Sequence, residues 1–134
     1  MIKGSTYSLV VENYRYTWET KTLIKASKNY ETMLWLIPEE FLAEWSWGED
    51  SPADHIERCL NADLSFPILV WDSKILDGCH RIIKALATGE NKIKAIIIRD
   101  IPAPDSITDF NEDIVESNFK FRDVVELVKI KLNQ

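Results

Sequence analysis

Three features of this 134-residue chain predict a single mixed α/β (α+β) domain, a small mixed sheet flanked by helices. Two apolar runs of strand length, 67–71 and 93–98, bracket a segment with helical periodicity. In that segment Ile82, Ile83, Leu86 and Ala87 fall on one face from Cys79 onward, and Gly89 supplies a C-terminal stop. The chain is also rich in core-forming side chains, with 46% hydrophobic residues including five Trp, which argues against disorder. At this length one core is expected, so residues 1–134 form one domain.

The central stretch sets the order of elements. Residues 67–71 read as a buried strand, Asp72-Ser73 as a tight turn, and 74–76 as a second short strand. At Asp77-Gly78 the pattern changes period and the helix begins. The run at 93–98 is apolar almost throughout, as expected of a strand covered on both faces.

Upstream, residues 1–15 alternate weakly (Tyr7, Leu9, Val11) and suggest a peripheral strand. Thr17 is placed to cap a helix over 18–27, with Trp18, Leu23 and Ile24 toward the core. Residues 32–36 form a short strand, and Ile37-Pro38 opens a helix through about Trp45. The polar loop 46–51 is flanked by Trp45 and Trp47, which suit either apolar plugs or base stacking. Ser51-Pro52-Ala53-Asp54 has the layout of a helix start, and that helix runs to about Ala62. Ile56, Cys59 and Leu60 point inward, and His55 is expected at the surface or in reach of a ligand. Downstream, 101–105 form a rigid exit loop and Glu112, Asp113 and Glu116 an acidic stretch. A final helix spans about 118–132, with Phe121, Val124, Val125, Val128 and Leu132 at helical spacing; it closes the core or docks a partner.

Charge and motif content narrow the function classes. A net charge of −6 disfavours broad binding to a nucleic-acid backbone, which needs clustered Lys and Arg. No stretch has the length of a membrane span, and the first ten residues lack a signal-peptide layout. Cys59 and Cys79 do not make a disulfide framework; reduced thiols and a cytoplasmic setting are expected. Walker, dinucleotide-binding, C-x-x-C and H-E-x-x-H motifs are absent, and two His with two separated Cys suit no ordinary zinc site.

What remains is the corner Asp77-Gly78-Cys79-His80-Arg81. A helix N-terminus favours anions through its unpaired N–H groups and partial positive charge. Gly78 would let a ligand approach the backbone, Arg81 can fork onto phosphate oxygens, and His80 can donate to them or move a proton. Asp77 could orient His80, hold a metal ion or accept a proton from a hydroxyl. The same residues also suit an ordinary helix start: Asp77 as N-cap, Gly78 as turn, His80 and Arg81 as exposed polars.

This order of elements, with Leu76-Asp77-Gly78-Cys79-His80-Arg81 between strand and helix and Gly89 before the next strand, resembles the ParB/sulfiredoxin superfamily. It looks most like the small stand-alone proteins labelled ParB-like nuclease domain. The resemblance is best over 62–105, including the lead-in Asp63-Leu64-Ser65-Phe66-Pro67, and extends more loosely back to about Trp18. It implies a nucleotide-phosphate site at the glycine corner, with Gly78, His80 and Arg81 on the phosphates. Asp77 and His80 match in kind the acid and histidine of the related free-serine kinases, although Cys79 intervenes here. The nucleotide would be a nucleoside tri- or diphosphate, ATP or CTP, with Mg²⁺ at Asp77. Gly78-Cys79-His80-Arg81 also matches the sulfiredoxin tetrapeptide that carries the catalytic cysteine, making Cys79 a candidate nucleophile. Leu76-Asp77 departs from that family's pattern, and an acid beside a thiol works against thiolate formation. The segregation proteins follow this module with a helix-turn-helix region, which the remaining thirty or so residues do not match, so sequence-specific DNA binding is not expected.

The expectation is therefore a nucleotide-binding domain with NTP hydrolysis or phosphoryl transfer as its reaction, using Asp77, Cys79 and His80. A non-catalytic adaptor that binds a protein partner on the same fold is the alternative from another class. Thiol chemistry at Cys79 and nuclease activity stand behind these.

Overall fold

The computed structural model describes residues 6–41, 52–110 and 121–134. Its strands are β1 (Thr6–Val11), β2 (Tyr14–Glu19), β3 (Thr32–Leu36), β4 (Ile68–Trp71), β5 (Lys74–Asp77), β6 (Lys92–Ile97) and β7 (Ser106–Asp109). The helices are α1 (Thr20–Ser27), α2 (Pro52–Leu60), α3 (Cys79–Ala87) and α4 (Phe121–Leu132). The described residues thus form a mixed α+β structure with two sheets. None of these helices is long and apolar enough to cross a membrane.

The central sheet has the order β3-β6-β4-β5. β4 and β6 are parallel, with Leu69 opposite Ile96, while β3 and β5 are antiparallel edges. Alternation along β6 sends its side chains to two separate cores. Ile93 and Ala95 join Ile68, Val70, Ile82 and Ile83 under the layer made by α2, α3 and α4. Ile96 and Ile98 join Leu69, Leu76, Trp18 and Leu23 on the opposite face, beneath α1 and the small sheet β1-β2-β7. The nearly continuous apolar character of this strand follows from burial on both faces.

The β4–β5 hairpin turns on Asp72 and Ser73, both with positive φ (48° and 61°), the geometry of a two-residue type I′ loop. Its ladder then slips by one residue. Val70 pairs with Ile75, whereas Leu69 pairs with Asp77, so Leu76 is the extra residue of a bulge. Ile75 faces the helical layer and Leu76 the opposite core. By its pairing, Asp77 shares the face of Leu69 instead of returning to that of Ile75. One inserted residue thus aims the first polar side chain of the corner.

Several boundaries differ from the sequence-based expectation. Thr17 and Trp18 belong to β2, and α1 starts at Thr20. The helix start is held from 86 residues away: Asp105 accepts hydrogen bonds from the Glu19 amide at 2.7 Å and the Thr22 hydroxyl at 3.1 Å. The Trp18 indole donates to the Pro102 carbonyl at 2.7 Å, fixing the exit loop against the same strand end. Ile24 and Leu132 are exposed at 46% and 40% and so belong to no core, whereas Leu23, Phe121, Val124, Val125 and Val128 are buried. The second and seventh strands were not legible in the sequence. The helix expected after Pro38 is seen only from Glu40 to Phe41; its remainder, the tryptophan-flanked loop, the acidic stretch and the first residues of the final helix lie outside the described residues.

Candidate functional site

The corner divides between the two faces of the central sheet. Gly78 precedes α3 with φ 112°, a conformation that L side chains rarely adopt. A Cβ placed there would lie 2.8 Å from the Cβ of Ile68 and 3.2 Å from Nη2 of Arg81. Glycine is therefore required by close packing of the chain on itself. The space expected for an approaching ligand is taken by Ile68 and the guanidinium of Arg81.

Arg81 folds back over this corner. Its Nη1 donates to the carbonyls of Phe66 (3.1 Å) and Pro67 (2.6 Å), and its Nη2 donates to Asp77 Oδ2 at 2.9 Å. The side chains of this ion pair are 16% and 29% exposed, so it is screened less than a surface pair. Arg81 ties the 63–67 lead-in to the start of α3, and the fork expected to face phosphate is largely spent on the protein. Asp77 is accordingly paired with Arg81, not with His80.

His80 points elsewhere. Its Nε2 lies 2.9 Å from Nδ1 of His55 on α2, with the rings stacked at 5.2 Å between centroids. One ring nitrogen donates and the other accepts, so the contact holds a single proton between them. His55 is only 2% exposed, against the surface position expected from its place in the first turn. Helix periodicity alone did not reveal it, because its burial depends on a partner 25 residues on.

Cys79 is half-buried and packs against the helical core, while Cys59 is fully buried within it. Burial, reinforced by the Asp77 carboxylate, pushes the Cys79 thiol up to about 12; burial alone does the same for Cys59. Arg81 acts on Cys79 in the opposite direction and is outweighed. The acid expected to work against the thiolate does so, and thiolate chemistry at Cys79 is disfavoured near neutral pH.

Beside the corner, on the α1 face, lies a cleft of about 420 Å³. Asp77, Arg81 and, from the lead-in, Asp63 line it, and Ile24, Leu69 and Ile96 supply apolar wall. Asp63 accepts from the Ser65 hydroxyl at 2.7 Å and the Ser65 amide at 2.9 Å, which hold its carboxyl below the usual range. Of the corner residues singled out by sequence, Asp77 and Arg81 line this cleft; Gly78, Cys79 and His80 do not. The walls from α1 and β6 were missed. The only sequence signal for them was the alternation of β6, which puts Ile96 on the face of Leu69.

Asp77, the residue expected to hold Mg²⁺, is paired with the Arg81 guanidinium, whose charge opposes a cation there, and no three His, Cys, Asp or Glu side chains converge among the described residues.

No protein-family model matches this chain, and no curated protein or solved structure shows significant similarity to it.

Proposed function

We propose that this is a ParB/sulfiredoxin-type domain that binds a nucleoside phosphate in the cleft between α1 and the corner. The observation that carries this is the partly buried Asp77–Arg81 pair lining a space with apolar walls. Small-molecule sites combine these features, at volumes of roughly 300–1,000 Å³ with few convergent polar groups. A base has apolar surface to lie on at Ile24, Leu69 and Ile96, and ribose or amino hydrogens have carboxylate acceptors. Binding is supported better than turnover, since His80 is engaged with His55 away from the cleft. Any Mg²⁺ is proposed to arrive with the ligand's phosphates.

A thermal-shift screen of ATP, ADP, CTP and GTP, with and without Mg²⁺, tests this. Ligand at ~100 times its Kd stabilises the fold by ~2.7 kcal/mol, enough to raise Tm by several degrees. The shift is expected in wild type and lost in Ile24→Glu, a change at an exposed wall position. No shift with any nucleotide overturns the proposal.

The adaptor reading keeps one specific observation in its favour. Edge strand β3 carries no charged residue, and Met33, Leu34 and Leu36 are 51%, 66% and 60% exposed. Uncharged, apolar edges invite strand addition by another chain. Partner binding lost in Leu34→Lys/Leu36→Lys, with Tm unchanged, would support this second reading.

A further inference from the structure

Among the described phenylalanines Phe41 and Phe121 are buried, whereas Phe66 is 62% exposed. Scattered exposed apolar side chains are ordinary, and Leu34, Leu36 and Ile107 are exposed to a similar degree. Phe66 differs from those three in lining the cleft, together with Asp63, Pro67 and Arg81.

The backbone that carries its ring is fixed from both sides. The Phe66 amide donates to the Asp63 carbonyl at 3.3 Å, closing a turn in which the Asp63 carboxylate also accepts from the Ser65 amide and hydroxyl. The Phe66 carbonyl accepts from Arg81 Nη1 at 3.1 Å, and the same nitrogen donates to the Pro67 carbonyl at 2.6 Å. Pro67 further disfavours helical backbone at the residue before it. Only the two side-chain torsions of Phe66 are left to settle when something packs on its ring, so the ordering cost is small. The ring is largely in water although it lines a cleft with apolar walls, and covering it is favourable.

We infer that Phe66 is the stacking residue of the cleft, laying its ring against the flat face of the ligand's base and adding a π surface to the aliphatic wall of Ile24, Leu69 and Ile96. This rests on the nucleotide reading above. Every base has a π face, so Phe66 contributes affinity for ADP, CDP and GDP alike, and the choice among them falls to the polar groups of the cleft. Arg81 is then a positioning residue, because it holds the carbonyls on either side of the Phe66–Pro67 peptide link.

Isothermal titration of ADP, CDP and GDP against wild type, Phe66→Ala, Phe66→Leu and Phe66→Trp tests this. Phe66→Ala should weaken the tightest-bound nucleotide about tenfold, Phe66→Leu should recover only part of that loss, and Phe66→Trp should stay within about threefold of wild type. In proton NMR the base protons of that nucleotide should move upfield on binding to wild type, through the ring current of Phe66, and lose that shift with Phe66→Leu. Affinity within about twofold of wild type in both Phe66→Ala and Phe66→Leu, or an upfield shift that persists in Phe66→Leu, overturns the role of Phe66 while the nucleotide reading stands. Failure of all three nucleotides to bind wild type overturns both.

Discussion

Arg81 Nη2 donates to Asp77 Oδ2 at 2.9 Å across one turn, and this contact decides what the corner presents. The β5 bulge turns Asp77 toward the cleft, Gly78 allows the tight entry into α3, and Arg81 returns over both to hold the preceding loop.

Arg81→Lys should therefore act first on stability. A lysine cannot span two carbonyls and a carboxylate with a planar fork. Loss of these partly buried bonds should cost about 2–3 kcal/mol in urea denaturation. An equally stable Arg81→Lys protein would mean that the clamp is dispensable.

Gly78→Ala should be destabilising through crowding and backbone strain together. The new Cβ would stand 2.8 Å from Ile68 Cβ at a φ of 112°. The expected loss is on the order of 2–4 kcal/mol. A neutral substitution would show that the corner relaxes freely, contrary to the packing described.

Thiol behaviour provides a pH test. With its thiol at about 12, Cys79 should react with iodoacetamide at pH 8 on the order of a thousandfold more slowly than a free cysteine. Rapid single-site labelling at Cys79 would restore it as a candidate nucleophile. For buried Cys59 the same displacement has a stability consequence. Its folded value, about 12, exceeds the unfolded one, about 9, so its contribution is complete below pH 9 and is lost as pH rises from 9 through 12. Denaturation midpoints should fall across that window, and less steeply in Cys59→Ala.

Asp105→Ala should remove the remote cap of α1. A cost of about 1 kcal/mol is expected, with faster amide exchange through Leu23 and Ile24, and Asp105→Asn should restore most of it. Unchanged exchange in α1 would show that the helix start is held by other contacts.

The core of the fold was legible because it is local. Strand, turn, strand, corner and helix from Ile68 to Ala87 follow one another with short-range patterns, and β3 was legible for the same reason. What escaped is non-local. Thr17 and Trp18 resemble a helix start until β2 pairs with β7, some ninety residues on, and Asp105 supplies the cap. His55 looks like a surface residue until His80 is placed against it. At the corner, residue types were read correctly as polar and charged, but their directions were not. A one-residue bulge in β5 sends Asp77 and Arg81 to the cleft, while Cys79 and His80 turn to the helical layer.

The most direct test of the account is a backbone-amide NMR titration with the nucleotide that shifts Tm most. The account predicts saturable shift changes clustered at Ile24, Ser27, Leu69, Asp77 and Ile96, the lining of one cleft. Changes centred on His55, Cys79 and His80 instead, or none at all, would contradict it.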